Sequence, residues 1–257
     1  MLEMKCLFLT LKGNLRSWGT DSVGDDRPTG NFPTESAILG IGGACIGIDQ
    51  NSSTQVKAWY GGFRVVTLSA TSFINTNRSN NKQFCTPNIL TDFQTVNSSL
   101  SMSNKIRQKP ILSNREYITD GLDTAVIIAR HQNAKQWIEQ LALAVQQPSF
   151  TPYLGRKSNT FGTPLTEPGE TAINITSIEK LCEILYHRLS KISIGHLRPN
   201  KCTLRVPIDL DNGKNNLCQK WRYKRTETIN DSRSSAFRTF ENRKTHLYTR
   251  TFEPLRS

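Results

Sequence analysis

The sequence predicts an α+β fold, and three features of the 257-residue chain support this prediction. Segments with strand composition alternate with two segments that carry helical start and stop signals. The first helical segment is unusually rich in glycine. A polar and basic stretch of about fifty residues, 71–122, interrupts the order and is longer than an ordinary connecting loop. A compact core with one large functional insertion is therefore expected.

The first two elements lie within residues 5–48. Residues 5–12 are rich in Leu and Phe and alternate weakly, as a strand does. After a polar loop over 13–31, Thr34 can cap a helix that runs to Ile48. Four glycines in this helix lower its intrinsic stability unless another element approaches closely. We therefore expect the helix to pack tightly on a sheet.

Two further strands and a second helix complete the predicted core. Residues 63–70 and 124–130 have strand composition, and Asn133 is expected to cap a helix that ends before Pro148. A last core strand is expected between residues 150 and 175, without a definite position. This order predicts a ferredoxin-like βαββαβ core, in which two helices cover one face of an antiparallel sheet. The other face is expected to be open for a ligand.

The C-terminal third reads as an addition to this core. Residues 177–190 form an amphipathic helix by their apolar spacing, and residues 202–208, 221–229 and 245–252 have strand composition. We therefore divide the chain into a core domain over 1–175, with its insertion at 71–122, and a basic, β-rich region over 176–257. The insertion is interpreted as a projecting basic arm or β-hairpin, in which residues 92–96 (DFQTV) supply one strand; a disordered insertion is the alternative.

The formal charge of +12 is concentrated in two segments. Residues 64–115 hold seven Lys or Arg and one acid, and residues 196–257 hold fourteen Lys or Arg and six acids. Local positive potential of this kind commonly neutralises the phosphates of a nucleic acid. Aromatic residues interleave with the C-terminal basic residues and could stack on unpaired bases, although half-buried strands show the same alternation.

Several other functional classes lack support. The six cysteines form no CxxC pair, which favours free thiols in a reducing cytoplasm and indicates neither a disulfide framework nor a metal site. The longest apolar run, residues 37–48, is too short to cross a bilayer, and the N-terminus does not resemble a secretion signal. The glycines of residues 40–47 fit neither a dinucleotide nor a Walker fingerprint. No cofactor or metal is expected, and the four separated histidines are interpreted as surface residues.

Seven blocks of sequence resemble one known family when taken in order. The blocks are LRSWG at 15–19, RPTGNFPTES at 27–36, LGIGGACIGI at 39–48, DFQTV at 92–96, REYITD at 115–120, FTPYLGRKS at 150–158 and RTFENR at 238–243. They resemble the CasD-type subunits of type I-E CRISPR Cascade complexes, which belong to the RAMP superfamily. The sequence departs from the family pattern at Gln94, where the family has His.

This resemblance implies a non-catalytic RNA-binding subunit that grips the 5′ handle of the CRISPR RNA (crRNA) and caps the backbone filament. The implied partners are the crRNA handle, the Cascade backbone subunit, the Cascade large subunit and target DNA held by the whole complex. The implied RNA-binding residues are Arg16, Trp18, Arg27, Thr29, Gly30, Tyr153, Gly155, Arg156, Lys157 and Ser158. The implied thumb residues are Arg78, Lys82, Phe93, Gln94, Lys105, Arg107, Lys109 and Arg115.

Elementary chemistry agrees with this implication for two loops. In residues 153–158 a glycine lets backbone amides approach phosphate, Arg156 and Lys157 supply charge, and Tyr153 can stack on a base. Residues 27–30 form a rigid turn that presents Arg27 beside a helix N-terminus. In both loops the Pro and Gly residues could equally serve the fold.

Two other functions remain open. A metal-independent endoribonuclease that processes precursor crRNA would need a His or Tyr base beside the 2′-hydroxyl and a cation at the phosphate. A DNA-binding protein outside CRISPR would act through the basic C-terminal region and need no guide RNA.

Overall fold

In a computed structural model, the described part of the chain forms two β-sheets and four helices. The model describes residues 3–20, 22, 24–75, 84–101, 103–106, 109–211, 217, 220–233 and 240–252. The strands are β1 (Met4–Lys12), β2 (Leu15–Arg16), β3 (Asp26–Arg27), β4 (Phe63–Asn75), β5 (Phe84–Cys85), β6 (Asn88–Val96), β7 (Ile111–Thr119), β8 (Leu122–Ala129), β9 (Ile173–Ile175), β10 (Leu197–Pro207), β11 (Arg222–Arg233) and β12 (Phe240–Thr251). The helices are α1 (Glu35–Ile46), α2 (Ser53–Gly62), α3 (Gln132–Ala144) and α4 (Ile178–Lys191). The fold is α+β, as the sequence predicts.

The larger sheet has the strand order β11-β12-β10-β4-β8-β1-β9, with β5 on β4, and its pairs are antiparallel. Its inner strand β8, which lies between β4 and β1, is buried along its whole length, as expected for a strand covered on both faces. The last core strand that the sequence could not position is β9, which pairs with β1. Three connections in this sheet pass through helices, since α1 and α2 lie between β1 and β4, α3 lies between β8 and β9, and α4 lies between β9 and β10.

Both faces of the larger sheet are covered, so the expected open face is wrong. Leu7, Leu9 and Ile127 on one face pack with α1, α2 and α3. Phe8 and Val126 on the other face pack with the apolar side of α4. The amphipathic pattern of residues 177–190 predicted α4 correctly, but its apolar stripe required a surface to cover, and the sheet supplies one.

Helix α1 confirms the predicted cap and the predicted tight packing. The Thr34 side chain accepts a hydrogen bond from the amide of Ala37, and Gly47 ends the helix in the left-handed conformation. A Cβ added at Gly42 would lie 2.9 Å from the Trp59 ring and 3.3 Å from the Ile127 side chain. The glycines therefore let α1 approach both α2 and the sheet.

Two local features differ from the sequence prediction. The helix α2, capped by Ser52, was not predicted, because its mixed polar composition gives a weak helical pattern. Helix α3 begins one residue before the predicted cap: His131 caps it, with its Nδ1 accepting a hydrogen bond from the Ala134 amide at 3.3 Å. An imidazole nitrogen can replace the usual Asn or Ser oxygen at this position.

The C-terminal strands extend the larger sheet. Strand β10 pairs with β4, and β12 lies between β10 and β11.

The five cysteines within the described residues are free thiols, and burial raises the pKa of Cys6 to about 12. Such thiols act as small apolar core residues.

The smaller sheet contains β2, β3, β6 and β7. Strands β6 and β7 form an antiparallel hairpin in register from Asn88 and Thr119 to Val96 and Ile111. Almost every residue of β6 is exposed, so the hairpin projects from the core. We call β6, β7 and residues 97–110 between them the thumb hairpin. It confirms that residues 71–122 carry a hairpin and that residues 92–96 lie in one of its strands.

Candidate nucleic-acid interface

Two hydrogen bonds between Leu154 and Asn159 close the loop of residues 153–159. The Leu154 amide donates to the Asn159 carbonyl at 2.8 Å, and the Asn159 side chain donates back to the Leu154 carbonyl at 3.0 Å. Leu154 and Asn159 are fully buried, whereas Lys157 and Ser158 between them face solvent. The buried ends hold the loop, and its exposed middle presents an ammonium and a hydroxyl.

Gly155 fits this loop against the segment after β2. Its φ is +89°, and a Cβ added there would lie 1.6 Å from the Ser17 carbonyl oxygen. The Ser17 amide also donates to the Leu154 carbonyl at 3.1 Å. The glycine is thus required for close contact between two protein segments, in addition to any role towards phosphate.

The turn of residues 27–30 joins the same assembly. The Trp18 amide donates to the Thr29 hydroxyl at 2.9 Å, and the Gly30 amide donates to the Trp18 carbonyl at 2.8 Å. The Thr29 amide donates to the Glu116 carboxylate in β7 at 3.1 Å. Trp18 and Thr29 are buried, so their side chains support the turn from the protein interior.

Arg156 connects the loop of residues 153–159 to the other two segments. Its Nη1 donates to the Glu116 carbonyl and its Nη2 to the Arg27 carbonyl, both at 2.8 Å. Its guanidinium also lies 4.5 Å from the centroid of the Tyr117 ring. Two backbone carbonyls and one ring face thus fix the position of this cation.

We call the assembly of residues 15–19, 27–30, 115–118 and 153–159 the platform. It brings together segments that are far apart in the chain and that belong to four of the sequence blocks named above. Its exposed side chains are those of Arg27, Tyr153, Lys157 and Ser158. Arg27 also donates to the carbonyls of Gly24 and Asp26, which holds its guanidinium against its own turn.

Arg16 lies inside the protein and not on the exposed surface of the platform. Its side chain is 1% exposed, and its Nε lies 3.1 Å from the carboxylate of Asp123, which is fully buried. Burial raises the pKa of Asp123 and lowers the pKa of Arg16, while their mutual attraction opposes both shifts. A cation without contact to solvent cannot bind a phosphate on the outer surface.

A cavity of about 740 Å³ borders the platform. It lies between α1 and the segment of residues 150–155, and Ser17, Tyr153 and Gly155 line it from the platform side. Its volume falls within the range of about 300–1,000 Å³ that is usual for ligand sites. A short stretch of an extended ligand could lie there, with the Tyr153 ring at its edge.

The thumb hairpin carries both cations and exposed apolar side chains. Lys105 and Lys109 lie in the connection between its strands and face solvent, and Phe93 is 62% exposed. Gln94 donates to the Asp92 carboxylate at 2.6 Å, and Arg115 donates to the Ser113 hydroxyl at 3.2 Å. Exposed apolar side chains on a projecting hairpin are typical of a contact surface.

Part of the sequence prediction falls outside the described residues. This holds for Arg78, Lys82 and Arg107 of the expected thumb residues and for Arg238 and Thr239 of the RTFENR block. Arg243 of that block is described, and its Nε lies 3.9 Å from the buried carboxylate of Glu35 in α1.

Sequence reasoning missed three residues that build the site. Asp123 forms the ion pair with Arg16, and Glu116 accepts the hydrogen bond from the Thr29 amide. Gly121 leaves room for the Arg16 guanidinium, because a Cβ at this position would overlap it. One signal was available for Asp123, because a lone carboxylate in the apolar segment LDTAVIIA needs a buried partner. The identity of that partner depends on tertiary structure.

The interpretation of all four histidines as surface residues is wrong for His246. His131, His187 and His196 are exposed, but His246 is 3% exposed and its Nδ1 lies 2.6 Å from the Asp211 carboxylate. The Tyr248 hydroxyl donates to the same carboxylate at 2.7 Å. Burial and this hydrogen bond raise the pKa of Tyr248. The arrangement combines groups used in acid–base catalysis, but it lies beneath the surface.

Two further findings concern metal binding and membrane spanning. Within the ranges given above, no three His, Cys, Asp or Glu side chains are grouped as a metal site would require. In the same part of the chain, no helix has the length and apolar character needed to span a membrane.

Comparison with known proteins identifies the family. The family described as "CRISPR-associated protein (Cas_Cas5)" matches residues 6–247. The Cascade subunit CasD of Escherichia coli (strain K12) is 31% identical over 163 residues, which are 63% of this chain and 68% of that protein.

Two solved structures share the fold at low sequence identity. A chain of a "CRISPR RNA-guided surveillance complex" superposes with a TM-score of 0.58 and 17% identity, covering 96% of this chain and 90% of that one. A structure titled "Crystal structure of Cas protein" gives a TM-score of 0.52 and 18% identity, covering 96% and 95%. The family match spans both the core and the thumb hairpin. The chain therefore belongs to the Cas5 family of CRISPR-associated proteins and is of the CasD type.

Proposed function

We propose that this chain is a non-catalytic RNA-binding subunit of a type I-E Cascade surveillance complex. It binds the 5′ handle of crRNA and caps the backbone filament, and it contacts the large subunit while the whole complex holds target DNA. The observation that carries this proposal is the platform, where segments distant in sequence meet and present Arg27, Tyr153, Lys157 and Ser158 to solvent. The family membership supports the setting.

The described strands also support a ferredoxin-like core as the scaffold. Strands β4, β8, β1 and β9 are adjacent in that order and antiparallel, with helical connections before β4 and after β8. On this proposal residues 1–175 form the core domain. Residues 176–257 form an extension that lengthens the sheet through β10 and covers its second face with α4.

The platform suits a single RNA strand for two reasons. Lys157 and Arg27 provide charge for phosphates, and the Tyr153 ring provides a face for a base. The cavity beside α1 gives room for nucleotides that have left a helical stack. The projecting thumb hairpin adds Lys105 and Lys109 and offers its exposed apolar side chains to a neighbouring protein subunit.

The burial of His246 removes one candidate base from the endoribonuclease alternative. A general base must reach the 2′-hydroxyl that it deprotonates, and His246 is 3% exposed and held by Asp211. Arg156, the best-placed cation of the platform, is engaged with two carbonyls.

The direct test measures binding of a 5′-handle RNA over a salt series, with the chain alone and with its partner subunits. We expect tighter binding of the handle than of a same-length RNA with a permuted handle, and weaker binding as salt rises. Equal affinity for both RNAs in the presence of the partners would contradict the proposal. A discrete, dose-dependent cut in precursor RNA incubated with the chain in EDTA would favour the nuclease.

Lys157→Ala should weaken handle binding by removing one phosphate contact. The slope of log K against log salt should fall by about 1, without a change in the preference for the handle. The matched control is Lys57→Ala, which removes an exposed lysine from α2 and leaves the platform intact. A Lys157→Ala slope equal to that of the control would show that Lys157 does not contact phosphate.

Removing the thumb charges should have a similar but separate effect. In the Lys105→Ala/Lys109→Ala double variant we expect weaker handle binding with an unchanged midpoint of thermal unfolding, because both side chains are exposed in the connection between β6 and β7. Filter binding and calorimetric unfolding measure the two quantities. Unchanged RNA affinity in the assembled complex would assign the thumb hairpin to protein contacts only.

A further inference from the structure

A second, smaller cavity lies where the two sheets meet. Its volume is about 220 Å³. Its walls come from β2, β4, the connection between β5 and β6, the thumb hairpin and the turn before α1. The residues that line it are Arg16, Asn31, Phe32, Ala70, Thr71, Thr86, Pro87, Ile89 and Ile118.

The cavity is lined by a buried cation that retains hydrogen-bonding capacity. Arg16 is 1% exposed, and its Nη1 has no hydrogen-bond acceptor among the residues that the structure describes. Its Nε faces Asp123 at 3.1 Å, and its guanidinium lies so close to Gly121 that a Cβ added there would overlap the guanidinium carbon and both Nη atoms. A buried donor without an acceptor is unfavourable, so an acceptor supplied by a ligand would be stabilising.

The chemistry of the cavity favours a base over a phosphate. Asp123 already neutralises the charge of Arg16, so the pair offers a donor without a net positive charge. Apolar groups of Phe32, Pro87 and Ile89 make up much of the wall. The volume is below that of pockets for drug-sized ligands, which limits the occupant to a fragment such as one ring system.

The position of the cavity connects it with the platform. Arg16 is paired in the sheet with Ile118, which follows Glu116 and Tyr117, the two residues that hold Arg156. A strand that crosses the platform towards the thumb hairpin would therefore pass the mouth of this cavity. From this geometry we infer that the cavity binds one unstacked base of the RNA and that a ring carbonyl of that base accepts a hydrogen bond from Arg16. This inference rests on the proposed RNA-binding function and specifies what one part of the site reads.

The inference predicts a preference among bases. Uracil and hypoxanthine carry a ring carbonyl, whereas adenine has an amino group at the corresponding position of the purine. We therefore compare the hexamers rU6, rI6 and rA6 by fluorescence anisotropy on the full chain. A hydrogen bond from a charged donor should make rU6 and rI6 bind about tenfold more tightly than rA6. Because the hexamers contain no handle sequence, this result is separate from the test of handle binding.

Two variants assign the preference to the cavity. Thr86→Phe fills the cavity from an exposed position before β6 and should remove the difference between rU6 and rA6. Thr91→Phe adds the same ring at an exposed position on β6 that does not line the cavity, and it should keep the difference. Arg16→Lys retains a cation beside Asp123 but removes the guanidinium Nη donors, and it should also abolish the preference.

Several results would overturn the inference. They are equal or undetectable binding of the three hexamers, binding of rI6 as weak as that of rA6, and a preference that survives in Thr86→Phe. Weak rI6 binding would show that the protein reads ring size and not the carbonyl. Loss of the preference in both threonine variants would show that the added ring acts outside the cavity. If handle RNA still binds tightly in any of these cases, the proposed function stands and only the assignment of the cavity fails.

Discussion

Replacing Gly155 with alanine should lower the free energy of unfolding by more than about 4 kcal/mol. The alanine Cβ would fall 1.6 Å from the Ser17 carbonyl oxygen, and the residue would keep a φ of +89°, which L residues rarely adopt. The Ser17 backbone cannot move aside easily, because the Ser17 amide donates a hydrogen bond to the Leu154 carbonyl and because the neighbouring residues Arg16 and Trp18 are buried. Handle binding should fall together with stability.

Gly169→Ala is the matched control for this effect. Gly169 also has a positive φ, +74°, but no atom lies within 4 Å of an added Cβ. It should lose only about 1 kcal/mol from backbone strain. Urea unfolding of both variants measures the difference. Equal losses would mean that backbone strain alone, and not the approach of the loop to Ser17, makes Gly155 necessary.

Asp123→Ala should lower the free energy of unfolding by about 3–5 kcal/mol, since it leaves the buried cation of Arg16 without its partner. The double variant Arg16→Met/Asp123→Leu replaces both charges with apolar groups and should recover most of this loss. Such recovery would show that the unpaired charge, and not the lost attraction, dominates the loss in the single variant.

The ion pair between Arg64 and Asp209 provides a comparison on the surface. Its Nε and carboxylate are 2.7 Å apart, but the Asp209 side chain is 48% exposed. Asp209→Ala should therefore change the free energy of unfolding by no more than about 1 kcal/mol. A loss in Asp123→Ala as small as that in Asp209→Ala would indicate that water reaches Arg16 in solution.

Local sequence signals were sufficient to predict those elements that have a recognisable cap, apolar spacing or composition. The Thr34 cap predicted α1, and the apolar spacing of residues 177–190 predicted α4. The long basic insertion predicted the thumb hairpin, including the strand that contains Phe93. Helix α2 escaped prediction because its pattern is weak, and the cap of α3 because His131 is an uncommon capping residue.

The sequence blocks indicated which segments form the candidate site but not how those segments are arranged. Ordered sequence blocks pointed to Arg16, Thr29 and Arg156, and the structure brings their segments together. Their surroundings depend on residues from other elements, however: Asp123 neutralises Arg16, Glu116 binds the Thr29 amide, and Arg156 is anchored on two carbonyls. Burial cannot be inferred from a basic residue in isolation.

By itself, the sequence determined the α+β class, the positions of the glycine-rich and amphipathic helices, the projecting insertion and the family. These properties depend on spacing, capping and composition, which are local to each segment. Tertiary structure alone decided that α4 covers the second face of the sheet, that Gly155 meets Ser17, and that Arg16 is buried while Lys157 faces solvent. The physical reason is that burial, charge pairing and close backbone approach arise between segments far apart in the chain. The residue pattern of one such segment does not indicate which other segment it will contact.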